Sequence, residues 1–558
     1  MSEKAVPLRV RRGYVRIPTG QVHYRTAGSG PPVVLLHYSF LSSTMHLRLI
    51  DRLADAFTVV ALDTPGYGAS APLELGRRAE IDDFGDALAA TIDTLGFESP
   101  AVYSSHTSAK FALSCAWRHP GAIGFLVCDG LAAPETPFSD DYIARYMPPF
   151  AISADGGHIA RNWSMMRDFR RFYPWFEPLA AHRMDVDQTS LQDDHIYGLG
   201  LFSAGPHYSS CYGAALRYSP WAAIRGSRTP TVYMAREGDV LAHFLDALEP
   251  ELPPCASAER LPTDDKPWMD RLAALFGQHA HGAASSPIQA VPDVGSSRAA
   301  VAMAYGDLEV RTYGRGQRTI LALHDPPGSA ASLDALCLRL AANRRVLAPD
   351  LPGCGLSDPL PTPDAAAYVD ALLALLDRCA VDDFELVAEG FAAPLALALA
   401  ARSPKRVSVL VLDAALLKKA GEREVLAARY CPPVLLSRQG GHMLDVWQRV
   451  RDMELQWPWY DETRTAIRWI DPMVDPEGLH HRMLGILSQL DCYGDACRAA
   501  LSVDAIALLG WIDTPATILT RPGDPRYPDR TSIPAHVSSI DVSPEVGSPI
   551  PMIVSALP

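Results

Sequence analysis

The segment Val102-Tyr-Ser-Ser-His-Thr-Ser-Ala109 gathers side chains suited to proton transfer. His106 stands among Ser104, Ser105, Thr107 and Ser108, where a short apolar run passes into the helical stretch Ala109–Arg118. Imidazole titrates near neutral pH, so it can take up and return a proton under ordinary conditions. A second histidine, His37, ends the apolar run Val33–Leu36 and is followed by Tyr38. The chemistry these residues predict is general-base catalysis by His106. Nucleophilic attack by the same imidazole is the less favoured route. The competing reading makes His106 a filler of the junction and His37 a hydrogen-bonded scaffold residue.

Other chemistries find little support. The ten cysteines include no CxxC pair, so neither a disulfide framework nor a zinc site is expected. No G-x-G-x-x-G or G-x-x-x-x-G-K phosphate loop is present, and the expected cofactor set is none. Fifty Lys and Arg against 64 Asp and Glu leave −14, which argues against a nucleic-acid partner. The composition, 48% apolar and 20% charged with mean hydropathy near zero, is that of a globular protein. The longest apolar run, near Phe391–Ala401, contains Pro394 and stops at Arg402, so no membrane span is expected. The basic start, Met1 to Tyr14, lacks a following apolar core, and a cytoplasmic location is the expectation. The partner these features leave is a small-molecule substrate.

The elements that position His106 occur twice. Gly20-Gln-Val-His-Tyr-Arg-Thr-Ala-Gly28 resembles Gly306-Asp-Leu-Glu-Val-Arg-Thr-Tyr-Gly314. Asp63-Thr-Pro-Gly-Tyr-Gly-Ala-Ser70 matches Asp350-Leu-Pro-Gly-Cys-Gly-Leu-Ser357, and Arg145-Tyr-Met-Pro-Pro149 matches Arg429-Tyr-Cys-Pro-Pro433. The pairing continues through Gly157-His158 and Gly441-His442, Trp163 and Trp447, Arg167-Asp168 and Arg451-Asp452, and Pro174-Trp175 and Pro458-Trp459. The offset is 287 at His37 and His324, 284 through the middle and 285 at Asp239 and Asp524. A near-constant offset of this size means tandem duplication of a whole domain. Half of the 558 residues is 279. The expected division is 1–280, a linker at 281–298 rich in Ala, Ser, Gly and Pro, and 299–558, with the two copies in intramolecular contact.

Within each copy, short apolar runs alternate with helical stretches. The first has Val33–Leu36, Thr58–Leu62, Ala101–Ser104, Phe125–Cys128 and Thr231–Met234. The second has Thr319–Leu323, Arg345–Ala348, Glu385–Val387, Val407–Leu412 and Thr517–Leu519. This alternation predicts an α/β fold with a mostly parallel sheet covered on both faces, and a ligand at the carboxyl ends of the strands. Between about 132 and 228, and again between 416 and 512, aromatic residues and arginines crowd into what reads as a helical cap. The cap motifs recur in both copies, which favours packing and capping roles. Alternatively, Arg167 and Arg451 bind a substrate carboxylate. His158 and His442 lack companion ligand spacing for a metal.

The order of these features resembles the α/β-hydrolase fold over nearly the whole of each copy. Leu35-Leu-His37 is similar to the family's His-Gly oxyanion turn, with Tyr38 in place of the glycine. Asp63–Ser70 is similar to its Asp-x-Pro-Gly-x-Gly-x-Ser turn, and Arg118-His-Pro120 to the close of the helix after the nucleophile. The family's elbow is G-x-S-x-G. Counting back from Pro120 puts His106 at the nucleophile position, with both glycines replaced by serines. His106-Thr-Ser108 also resembles a His-Thr-Gly elbow found in one branch of the family. The resemblance makes Asp239 and Asp524 the acid positions. It implies catalysis by His106, Asp239 and His37, with substrate held by Tyr38, Ser104, Thr107, Ser108 and Arg167.

The same count in the second copy reaches Gly390, which has no side chain to react. Neither copy shows the family's terminal histidine, so the Ser–His activation of an ordinary esterase is not expected. Two functions follow. One is an enzyme with a single working site, acting on an ester, thioester, lactone or β-diketone by hydrolysis, C–C cleavage, elimination or cyclisation. The other is a pseudo-hydrolase that binds a small molecule or organises protein partners.

Overall fold

A computed structural model describes residues 10–282, 296–543 and 548–558. The chain divides into two compact units. The first comprises Met1–Ala151 and Ala160–Gln289; the second comprises Ile152–Ile159 and Ala290–Pro558. The short cap segment Ile152–Ile159 thus groups with the second unit, although its sequence belongs to the first repeat. Most of the expected linker lies outside the described residues. Its flanks are a helix ending at His279 and a strand beginning at Ser297.

The first unit holds an eight-stranded sheet. Its strands are β1 (Arg11–Ile17), β2 (Gly20–Ala27), β3 (Pro32–Leu36), β4 (Thr58–Leu62), β5 (Ala101–Ser105), β6 (Phe125–Asp129), β7 (Thr231–Arg236) and β8 (Ala256–Leu261). The spatial order is β1-β2-β4-β3-β5-β6-β7-β8. The β1–β2 and β2–β4 pairs are antiparallel and the rest are parallel. The central strands β3 to β6 are buried along their whole length, which explains their unbroken apolar runs. On one face Val33, Leu35, Val59 and Tyr103 pack with Leu49, Leu53, Trp268, Leu272 and Phe276. The other face of β5 and β6 carries the helix Thr107–Arg118.

The second unit repeats this plan. Its strands are β9 (Ser297–Ala302), β10 (Asp307–Tyr313), β11 (Arg318–Leu323), β12 (Arg344–Pro349), β13 (Phe384–Glu389), β14 (Val407–Asp413), β15 (Ala516–Thr520) and β16 (Ser538–Asp541). Read from β9, the order is β9-β10-β12-β11-β13-β14-β15-β16, the same as in the first unit. The strands absent from the apolar-run reading are the outer ones, where half-buried or mixed patterns replace continuous runs.

Both caps are helical. Between β6 and β7 lie helices at Asp140–Tyr146, Gly157–Phe169, Leu191–Ala204, Ser209–Leu216 and Trp221–Gly226. Between β14 and β15 lie Ala420–Arg429, Gly441–Leu455, Pro476–Leu487, Asp495–Ser502 and Ala505–Leu509. The shared cap motifs make the same bonds in each copy. Trp175 Nε1 donates to Tyr146 O at 2.8 Å, and Trp459 Nε1 donates to Tyr430 O at 2.9 Å. Isolated bridges pair Phe172 with Arg183 and Gln456 with Ile467. The motifs therefore fasten the cap's internal turns. Among the described residues, no helix is long and apolar enough to cross a membrane.

Candidate active site

The junction after β5 is a strained elbow. His106 has φ 49° and ψ −109°, a conformation that costs a side-chain-bearing residue. The surrounding bonds hold it there. His106 N–H donates to Asp129 O at 2.9 Å. Ser108 Oγ accepts from Ser105 N–H at 2.8 Å, and Thr107 Oγ1 accepts from Ser39 N–H at 2.8 Å. The serines that replace the elbow glycines thus serve the backbone. Ser104 Oγ is buried and donates to Val127 O at 2.8 Å.

The elbow aims His106 at the turn after β7. His106 Nε2 and Asp239 Oδ2 are 2.9 Å apart. The imidazole is 35% exposed and the carboxylate 15%. Asp239 is fixed from behind, because its Oδ1 accepts Leu241 N–H at 2.8 Å. Burial works to lower the His106 pKa, but the Asp239 bond and charge, with Asp129 behind, outweigh it, and the net shift is upward. Burial likewise works to raise Asp239, but His106, Leu241 N–H and Arg236 bring it below the usual carboxylate range. With Nε2 committed to Asp239, Nδ1 is the nitrogen left to meet a substrate. The Thr107 N–H, in the first turn of the elbow helix, needs no helical acceptor and can serve a developing oxyanion.

Residues that the sequence motifs do not single out complete the site. Gly130 has φ +63°, and a Cβ there would lie 2.6 Å from His106 Cδ2 and 2.9 Å from Asp239 Oδ2. Only glycine lets the two side chains meet. Asp129 Oδ2 accepts from Tyr103 OH at 2.8 Å and from Trp268 Nε1 at 3.0 Å. Trp268 comes from the segment where the family's terminal histidine would stand. Burial holds the Asp129 pKa up despite these donors. Arg236 stacks 5.0 Å from the Trp268 ring centre and lends its charge to Asp239.

The expected site residues do not all converge. Tyr38 lies beside His106, ring centres 5.4 Å apart. His37 does not join them: it is buried, its Nε2 accepts Thr64 N–H at 2.9 Å, and its Nδ1 bonds Tyr38 O at 2.9 Å. Burial pushes its pKa down, so it stays neutral and tied to the backbone. Ser104 and Ser108 are buried below the elbow, and the Thr107 hydroxyl is engaged with Ser39. Arg167 lies on the helix Gly157–Phe169, and no described contact joins it to His106, Asp239 or Tyr38. The cap arginine whose charge reaches the Tyr38 hydroxyl is Arg170, which sits 5.0 Å from the Tyr197 ring centre. Phe40, Phe169, Tyr146, Tyr197 and Tyr212 form a continuous aromatic cluster under the cap.

The second unit keeps the elbow and replaces its chemistry. Gly390 has φ +53°, and its N–H donates to Asp413 O at 2.9 Å, as His106 does to Asp129. Phe391 N–H, the counterpart of Thr107 N–H, donates to Asp325 Oδ1 at 2.9 Å. Asp325 occupies the position of Tyr38. A Cβ on Gly390 would lie 2.2 Å from Asp325 Oδ1. At the acid position, Asp524 is bound by Arg468 through Nε at 3.1 Å and Nη2 at 2.9 Å. Arg468 stands where the first repeat has Met184. An internal carboxylate therefore holds the oxyanion donor, and an internal guanidinium holds the acid.

A family model described as alpha/beta hydrolase fold matches residues 327–438. The fold is that of the α/β-hydrolase superfamily. The chain carries that fold twice. A 2-(acetamidomethylene)succinate hydrolase of Mesorhizobium japonicum is 29% identical over 114 residues, 20% of this chain and 40% of that protein. A 2-hydroxymuconate semialdehyde hydrolase of a Pseudomonas strain is 42% identical over 78 residues, 13% of this chain and 26% of that protein. The chain thus spans less than half the length of either curated relative. Among solved structures, a bromoperoxidase from Bacillus anthracis is similar at 17% identity and a TM-score of 0.39, covering 48% of this chain and 99% of that one.

Proposed function

We propose that the first unit is an acid–base enzyme for a small carbonyl compound: an ester, thioester, lactone or β-diketone. The observation that carries this reading is the 2.9 Å pairing of His106 with Asp239 at the top of a strained elbow. His106 Nδ1 takes a proton from water, the resulting hydroxide adds to the carbonyl, and Thr107 N–H binds the oxyanion. The imidazolium, held by Asp239, then returns the proton to the departing oxygen, sulfur or carbon. No serine nucleophile takes part. Relatives named as hydrolases and as a methyl ester esterase support a hydrolytic reaction. The aromatic cluster under the cap supports an apolar or planar substrate.

The second unit supports a non-catalytic reading, because Gly390 offers no side chain and Asp325 already holds Phe391 N–H. The test is a panel of esters, thioesters, lactones and β-diketones assayed with the native chain, His106→Ala and Asp239→Asn. Loss of an acid–base group lowers turnover by roughly 10²–10⁴-fold. Turnover that survives both substitutions would refute the proposal. So would covalent labelling of Ser105 or Ser108 by a serine-directed phosphonate.

A further inference from the structure

The strand ends of the second unit hold three arginines that the first repeat lacks. Arg468, Arg482 and Arg526 stand where Met184, Tyr197 and Leu241 stand in the first. Two of them are ion-paired. Arg468 grips Asp524 and also bonds Glu454 Oε2 at 3.1 Å, and Arg482 bonds Glu454 Oε1 at 3.2 Å. Arg526 differs. Its backbone N–H bonds Asp524 Oδ1 at 3.1 Å, as Leu241 N–H bonds Asp239, so the turn is conserved between copies. Its guanidinium, however, has no carboxylate at ion-pairing distance among the described residues. Its Nε is buried without a hydrogen-bond partner. The nearest aromatic face, Tyr527, is 5.6 Å away.

Three of the acids around Arg526 are already engaged. Asp325 is held by Phe391 N–H, Asp524 by Arg468, and Glu454 by Arg468 and Arg482. Glu389 and Asp413 are register neighbours on β13 and β14, and Asp413 Oδ1 is buried without a hydrogen-bond partner. Burial and their mutual charge push Glu389 toward its neutral form, so it is a poor counter-ion. A half-buried guanidinium whose Nε is shut off from water and lacks an acceptor is costly until one reaches it. The planar fork matches a carboxylate.

We infer that the second unit binds a small organic carboxylate through the Arg526 guanidinium, at the carboxyl end of β15. The site is separate from the His106 chemistry and does not depend on it. Titration calorimetry on the full chain with sodium benzoate and sodium acetate, at matched ionic strength, tests it. Inorganic phosphate serves as the contrasting anion. Saturable carboxylate binding is expected, weakened at least about tenfold by Arg526→Leu, which installs the first repeat's residue. Arg526→Lys should retain part of the binding. His106→Ala should leave it unchanged, which separates this site from product binding in the first unit. In carboxylate-free buffer the Arg526→Leu chain should melt no lower than the native chain. The inference is overturned by no saturable carboxylate binding, by equal binding in Arg526→Leu, or by binding of phosphate alone. It is also overturned if Arg526→Leu melts lower or fails to fold, since Arg526 would then be a structural counter-ion.

Discussion

At the scale of single residues, the first unit's site depends on a missing side chain. Gly130 leaves the space in which His106 and Asp239 meet. Gly130→Ala places a Cβ 2.6 Å from the imidazole and puts a side chain at φ +63°. The backbone strain costs roughly 1–2 kcal/mol, and a displacement of about 1 Å at the imidazole lowers turnover about 100-fold. Denaturant unfolding and kcat on one sample separate the two effects. The pH dependence follows from the signs of the shifts. His106 is raised above its ordinary value of 6.5, so its stabilising contribution is complete below 6.5 and is lost as pH rises through the folded value. Asp239 is lowered, so its contribution is complete above the ordinary value and is lost as pH falls through the folded one. The base form of His106 therefore becomes the major one only above pH 6.5, and activity should rise on that limb. Asp239→Asn should move the limb to lower pH, as read by the kcat/KM profile and by NMR titration of His106. The count back from Pro120 and the resemblance to the family's acid turn made His106 and Asp239 legible in the sequence. Gly130, Asp129 and Trp268 were not, because their roles arise from approach in space rather than from a motif.

At the scale of elements, the two caps share their internal turns but meet the strand ends differently. In the second unit Arg468, 2% exposed, reaches from the cap to Asp524, which is fully buried. Arg468→Met, copying the first repeat, leaves that carboxylate without its partner. The expected cost is about 3–5 kcal/mol in denaturant unfolding, with most of it recovered by adding Asp524→Asn. A single mutant as stable as the native chain would show that the cap is held by other contacts. The central strands were readable from their apolar runs, since burial on both faces removes polar residues. The outer strands were not, because their exposed faces interrupt the pattern. Arg468 was readable in principle. Setting the repeats side by side turns Met184 against Arg468 and Tyr38 against Asp325, a signal carried by the differences between copies rather than by their matches.

At the scale of the whole molecule, one fold stands twice, and of the two elbows only the first sets a histidine against the acid position. Turnover of the full chain should fall by roughly 10²–10⁴-fold with His106→Ala, with no second activity left to hide the loss. Gly390→Ser should add none, because its Cβ would fall 2.2 Å from Asp325 Oδ1. It should also lower the unfolding midpoint, and a new serine-dependent esterase activity would contradict a silent second unit. Duplication was the most legible property of the sequence, since motif pairs at a steady offset survive loss of the catalytic side chain. The Asp325 contact also bears on the history of the gene. Once position 390 is bare, an aspartate can settle against Phe391 N–H. Once it has settled, a reactive side chain at 390 no longer fits. A side chain can therefore return at 390 only after Asp325 has been replaced, so any route back has a fixed order.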